Sequence, residues 1–215
     1  MCPADLEVFV LSAPGRDRAH ELCFASIETS DVGHDYTVCE NPTGVSPAEH
    51  WHATMQRAAC AASSLVLVTE DDVLFNRHLV HNVLTWKWPY NPQFGAGWLY
   101  SPGGYRHGKD CWYDRHLVDW YGSLGVLYRT EHLAAITERS WQLFQERYAP
   151  SSWDCAIAAS VHQLGRGIRQ HGPPLIEHLW QLPSTWNFQQ DYTYRSTRGT
   201  FKLDWHRSLT DAQRR

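Results

Sequence analysis

The stretch Ser64-Leu65-Val66-Leu67-Val68-Thr69-Glu70-Asp71-Asp72-Val73-Leu74-Phe75 constrains the fold of this chain more than any other. Its short apolar, β-branched run reads as a strand buried on both faces, as in a parallel sheet. Three consecutive carboxylates follow, and desolvating any of them unpaired costs several kcal/mol. The acids therefore belong at the carboxyl edge of a sheet, where open α/β folds bind ligands. Hard oxygen donors crowded there suit a divalent cation, Mg²⁺ or Mn²⁺. The plainer alternative is an acidic turn that water solvates.

The flanking segments repeat the strand and helix alternation. Leu6 to Leu11 reads as a first strand, ended by the turn Ser12-Ala13-Pro14-Gly15. Arg16, Asp17 and Arg18 then open a helix carrying Leu22, Phe24, Ala25 and Ile27. A strand, a tight turn and an arginine at a helix start make an edge for a diphosphate or nucleotide, with Arg16 and Arg18 as candidates. Ordinary surface charge is the competing reading for both. Asp35 to Glu40 is a second strand. Ser46 suits an N-cap with Pro47 at the first helical position, and the helix through Trp51, Met55, Ala58, Ala59 and Ala62 leads into the acidic strand. This order predicts a right-handed, mostly parallel sheet flanked by helices, a Rossmann-like α/β domain.

Beyond the acids, Leu79, Val80, Val83, Leu84 and Trp86 recur at helical spacing, and Trp88-Pro89-Tyr90-Asn91-Pro92 stops that helix. Phe94 to Tyr100 reads as a strand, and residues 101–110 as a loop rich in Gly, Tyr, Arg and His, suited to closing over a ligand or to a plain surface hairpin. In Tyr121-Gly122-Ser123-Leu124-Gly125-Val126-Leu127-Tyr128-Arg129, small residues let the backbone approach a ligand closely. A helix from Thr130 to about Arg147 follows, then a second from Ser151-Ser152-Trp153-Asp154 through Leu164.

At 215 residues the chain fits one α/β domain with a full core. No apolar run approaches the roughly 18 residues that a membrane span requires. The segment Met1-Cys2-Pro3-Ala4-Asp5 lacks a basic, apolar leader. The expectation is a cytoplasmic bacterial or viral enzyme, or a trimmed chain. Six scattered cysteines without a C-x-x-C pair read as reduced thiols, and thirteen histidines show no H-E-x-x-H arrangement. The eleven tryptophans divide between core filling and flat faces that stack on sugars or bases.

Taken in order over residues 6 to 185, these segments resemble the GT-A fold glycosyltransferases, with Glu70-Asp71-Asp72 as a variant of their Asp-x-Asp motif. The resemblance implies a nucleoside diphosphate sugar donor, most often UDP-linked. Asp72 would bind the cation, and Glu70 and Asp71 would position ribose or metal-bound water. Glu40 or Asn41 would meet the base or ribose, and Gly122 and Ser123 would pass beneath the donor sugar. Asp154 falls where the family keeps an acid facing the acceptor, a general base in inverting members. Its competing role is helix capping in the first turn. His178, after Pro173-Pro174-Leu175-Ile176-Glu177, would complete the metal site, with His171 as a substitute. Mn²⁺ tolerates such mixed oxygen and nitrogen ligation better than Mg²⁺.

Residues 1–185 would then form the catalytic domain, and 186–215 a basic aromatic arm packing on it or closing over the site. Trp186, Phe188, Tyr192, Tyr194, Phe201 and Trp205 interleave there with Arg195, Arg198, Lys202 and Arg207, in a chain of net charge −4. Those cations suit a donor diphosphate or nucleic acid. The acceptor is expected to be a saccharide or glycolipid hydroxyl. A hydroxymethylated pyrimidine in DNA, as in compact phage-type enzymes, is the alternative. A non-catalytic nucleotide-sugar-binding module is the reading from another class. Inversion or retention is not fixed by these residues.

Overall fold

The computed structural model of the chain describes residues 5–86, 88–101, 111–114, 124–147, 153–179, 181–182 and 201–207, with backbone alone at 88, 111–114 and 147. Gly122, Ser123, Arg195 and Arg198 lie outside the described residues, as does nearly all of the loop expected at 101–110. The first half runs β1 (Leu6–Ser12), α1 (Asp17–Glu28), β2 (Tyr36–Glu40), α2 (Pro47–Ala58), β3 (Leu65–Glu70), β4 (Val73–Phe75) and α3 (Leu79–Leu84). The second runs β5 (Phe94–Trp98), β6 (Cys111–Asp114), β7 (Gly125–Arg129), α4 (Thr130–Arg147), α5 (Trp153–Gln163), β8 (Gly167–Gly172) and β9 (Ile176–His178).

β3 lies inside the sheet because its apolar run has no polar face to show water. Leu65, Val66, Leu67 and Val68 are buried, and burying side chains of this size contributes about 1.5–3 kcal/mol each. β3 pairs in parallel with β1 on one side and antiparallel with β7 on the other. The full order is β2-β1-β3-β7-β5-β8-β6. β2, β1 and β3 are mutually parallel, as are β5 and β8, whereas β7 and β6 run the other way. This is the mostly parallel α/β architecture that the alternation of elements predicts.

Helix α2 begins as its sequence predicts. Ser46 and Glu49 form a capping box, with the Glu49 amide donating to the Ser46 side chain and the Ser46 amide to Glu49, and Pro47 follows at the helix start. Trp51, Met55 and Ala58 bury its inner face. Trp51, Trp86, Trp98 and Trp153 are buried, so core filling accounts for these tryptophans. Cys23, Cys39, Cys60 and Cys155 are free thiols. No helix among the described residues is long and apolar enough to cross a membrane.

Three strands are not expected from the sequence. β8 reads Gly-Ile-Arg-Gln-His-Gly, with no apolar alternation, yet Gln170 and His171 are fully buried in it. β6 pairs outside it, from Cys111↔Gly172 to Asp114↔Arg169. β4 is three residues long and forms a separate antiparallel ribbon with β9, in the register Val73↔His178. That ribbon packs closely against the start of β7, since a Cβ on Gly125 would overlap Ile176 Cδ1.

Residues 201–207 pack on α3 and the turn before it. Asn76 Nδ2 donates to the carbonyls of Lys202 (2.7 Å) and Trp205 (3.1 Å), and Arg77 N to that of Leu203 (2.8 Å). Arg207 corrects one expectation. It is buried with its guanidinium 3.2 Å from the centroid of the Trp86 ring, and its Nη1 donates to Thr85 O (3.2 Å). A guanidinium stacked there is a packing element and not a free phosphate contact. Lys202 remains exposed.

Candidate active site

The adjacency of β1 and β3 builds the site. Their register pairs Leu11 with Glu70, so the loop after β1 emerges beside the residues after β3. Asp71 reaches into that loop: its Oδ2 accepts from Ala13 N (2.6 Å) and faces His20 Nε2 (2.6 Å) on the first turn of α1. Arg16, the N-cap residue of α1, places Nη1 2.8 Å from Asp71 Oδ1 and donates through Nη2 to Asp72 Oδ2. The β4–β9 ribbon supplies the other wall. Leu179 N donates to Asp72 O (2.7 Å), and His178 Nε2 lies 3.2 Å from Asp72 Oδ2.

The acids are thus not a solvated turn. Asp71 is 0% exposed and Asp72 4%, which only partners make tolerable. Their electrostatics differ. Burial raises the Asp71 pKa above the usual carboxylate value, and the Arg16 charge, the Ala13 amide and His20 offset it only in part. For Asp72, burial is outweighed by the His178 imidazole and the Arg16 guanidinium, which together hold it below the usual value. Burial likewise opposes the Arg16 cation, but Asp72, Asp71 and Glu70 prevail and raise its pKa. One guanidinium facing two buried carboxylates, with half-buried Glu70 beside them, leaves a surplus of negative charge at this edge.

A divalent cation fits the Asp72–His178 pair on two grounds. Asp72 Oδ1 is buried without a hydrogen-bond partner among the described residues, which leaves the carboxylate an unused oxygen beside Oδ2. Two donor atoms on adjacent octahedral positions, each about 2.1 Å from the cation, stand about 3 Å apart, close to the 3.2 Å between Asp72 Oδ2 and His178 Nε2. No group of three or more His, Cys, Asp or Glu side chains able to hold a metal occurs among the described residues. Among the described residues this pair would supply two ligands, with the other positions left to a ligand or water. Asp71 departs from its expected role here, because Ala13, His20 and Arg16 already engage it and it serves to fasten the β1–α1 loop.

The remaining candidates scatter around the same edge. Glu40 ends β2, exposed. Asn41 is half-buried; its backbone N donates to Ser12 O (2.8 Å), and its Oδ1 has no partner among the described residues. Arg18 faces solvent and pairs with Glu21 at 2.5 Å. Asp154 sits in the first turn of α5, Oδ1 accepting from its neighbour Cys155 N (2.8 Å). Because β8 follows α5 and runs parallel to β5, α5 begins on the carboxyl-edge side of the sheet. His171 is not a second ligand: its Nδ1 lies 2.7 Å from Pro173 O, and its ring packs between Trp86 and Trp205.

Sequence reasoning missed His20. The signal was present, since Arg16 and His20 are four apart at the start of one helix and so share a face. The Arg16 bridge to both acids was missed as well.

No family model matches the chain, and no curated protein matches it. Among solved structures it is similar to one described as the crystal structure of a glycosyltransferase involved in the glycosylation of the major capsid of PBCV-1. The two are 16% identical with a TM-score of 0.43, over 65% of this chain and 68% of that chain.

Proposed function

We propose that this protein is a divalent-cation-dependent glycosyltransferase of the GT-A type. It moves a sugar from a nucleoside diphosphate donor, UDP-linked by the sequence resemblance, to a saccharide or glycolipid hydroxyl. The observation that carries the reading is the buried Asp72–His178 pair at the carboxyl edge, 3.2 Å apart, with Asp72 Oδ1 left without a hydrogen bond among the described residues. It coincides with the motif positions on which the resemblance rests.

Asp72 and His178 hold the cation in this reading. Bound Mn²⁺ or Mg²⁺ supplies Lewis-acid neutralisation of charge on the departing diphosphate. Arg16, in contact with both acids, offers its guanidinium to the phosphates. Asp71 keeps the β1–α1 loop in register with β3, and Glu70 orients the ribose. Asp154 takes the proton from the acceptor hydroxyl as general base. The DNA-acceptor alternative drew on the tail cations, and Arg207 is withdrawn from that set by its packing on Trp86. A saccharide acceptor needs none of them.

The test is release of nucleoside diphosphate from a panel of nucleotide sugars, with Mn²⁺ and with EDTA. Turnover of at least one donor in Mn²⁺, lost in EDTA, is expected. Full turnover in EDTA contradicts the cation's role, and failure to turn over or bind any nucleotide sugar contradicts glycosyl transfer.

A further inference from the structure

The position of Arg16 raises a question that the metal reading does not answer. Its guanidinium bridges Asp71 and Asp72, and the oxygen it holds on Asp72, Oδ2, is the one that faces His178. A cation bound between Asp72 Oδ2 and His178 Nε2 would share that oxygen with a guanidinium, and two positive groups at contact distance repel. The two are alternative countercharges for one carboxylate.

We propose that Arg16 is a latch: with no cation bound it stands in as the countercharge of Asp72, and cation loading displaces it from Asp72 while Asp71 stays in reach. The inference rests on the proposed Asp72–His178 cation site. The geometry permits the exchange. The Arg16 backbone is pinned, because its carbonyl accepts from His20 N (2.9 Å) at the start of α1. The side chain is not part of the helix cap, and its Nε has no hydrogen-bond partner among the described residues. It can swing without disturbing α1. Ala13 N and His20 hold Asp71 independently, so the loop stays fastened when Arg16 lets go of Asp72. A displaced guanidinium beside a bound cation is placed to take a phosphate oxygen, which makes the latch a coupling device. Nucleoside diphosphate draws Arg16 away from Asp72 and so favours the cation, and by linkage the cation favours the nucleotide by the same factor.

Calorimetric titration of Mn²⁺ into nucleotide-free protein tests this. If the latch holds Asp72 in about nine of ten molecules, the apparent affinity is reduced about tenfold, and removing the latch restores it. Arg16→Gln should therefore bind Mn²⁺ about tenfold more tightly than the wild type. UDP, which should strengthen Mn²⁺ binding to the wild type, should strengthen it much less in Arg16→Gln. A purely structural role for Arg16 would leave that coupling unchanged. Arg16→Lys keeps one charge but cannot bridge both carboxylates; it should fall between the two, and it carries the test if Arg16→Gln does not fold. Equal or weaker Mn²⁺ binding by the variants, with binding abolished in Asp72→Ala, would overturn the latch and leave the cation site standing. No Mn²⁺ binding by wild type or variants would overturn both.

Discussion

Among the described residues, the side chains of Arg16 and Arg207 are buried by opposite means. Arg16, its side chain 7% exposed, lies between two carboxylates in a cluster where Asp72 Oδ1, His178 Nδ1 and its own Nε lack hydrogen-bond partners among the described residues. Arg207 lies over the Trp86 ring, its backbone amide donating to Asn82 Oδ1 (2.9 Å) and its carbonyl 2.9 Å from His81 Nε2. A buried polar atom left without a partner costs about 1–3 kcal/mol. Three such atoms gathered around two buried carboxylates mark a place that a ligand could complete. The Arg207 region also holds one such atom, Trp86 Nε1, but its cation is held by the chain itself, as residues 201–207 close over α3. The first cluster is arranged for an exchange of partners, and the second for permanence.

If that contrast holds, pH should act on the second region through His171, and the effect should be large. Burial, with the Arg207 charge adding to it and the Pro173 carbonyl opposing it, pushes His171 down to about 4. Its unfolded value is about 6.5, so the unfolded chain binds the proton first as pH falls. The stability that neutral His171 contributes is complete above pH 6.5 and is lost on the way down to about pH 4. The gap corresponds to roughly 3 kcal/mol. Denaturant unfolding at pH 7 and pH 4.5 should show that loss in the wild type and a flatter dependence in His171→Gln. Identical slopes would mean that His171 is not buried neutral, and the permanence of the second region would be in doubt.

The active-site edge should respond in the opposite way, in rate with little change in stability. Asp154→Asn is nearly isosteric and keeps an oxygen to accept the Cys155 amide, but it cannot take a proton. A loss of about 10²-fold in kcat, with donor affinity and unfolding midpoint retained, is expected from steady-state kinetics. Near-native kcat would return Asp154 to a helix-cap role.

How much of this the sequence disclosed depends on how far apart the partners lie. β1, β2, β3 and the start of α2 were legible because apolar runs, Pro-Gly and Ser-Pro signals act locally. β8 was hidden because its buried residues are Gln170 and His171, stabilised by neighbours and not by apolar alternation. β4 was hidden because its partner, β9, lies about a hundred residues away along the chain. Asp72 and His178 could be placed on one site only through the family resemblance, and the ribbon brings them together. The Arg16 bridge follows from the Leu11↔Glu70 register, which sequence alone does not supply. Arg207 misled because a basic residue among aromatics reads equally as a phosphate contact or as a stacked packing element, and burial decides.

The most direct test of the account is nucleoside diphosphate binding to wild type and Asp72→Ala, measured by calorimetry with Mn²⁺ and with EDTA. Asp72→Ala should fold, because Arg16 keeps Asp71 as a partner and the β4–β9 ribbon keeps its backbone pairing. The wild type should bind the nucleotide at least tenfold more tightly in Mn²⁺ than in EDTA, and a folded Asp72→Ala should lose that difference, about 1.4 kcal/mol or more. A folded Asp72→Ala variant that keeps the full Mn²⁺-dependent gain would contradict the assignment of this edge as the cation site.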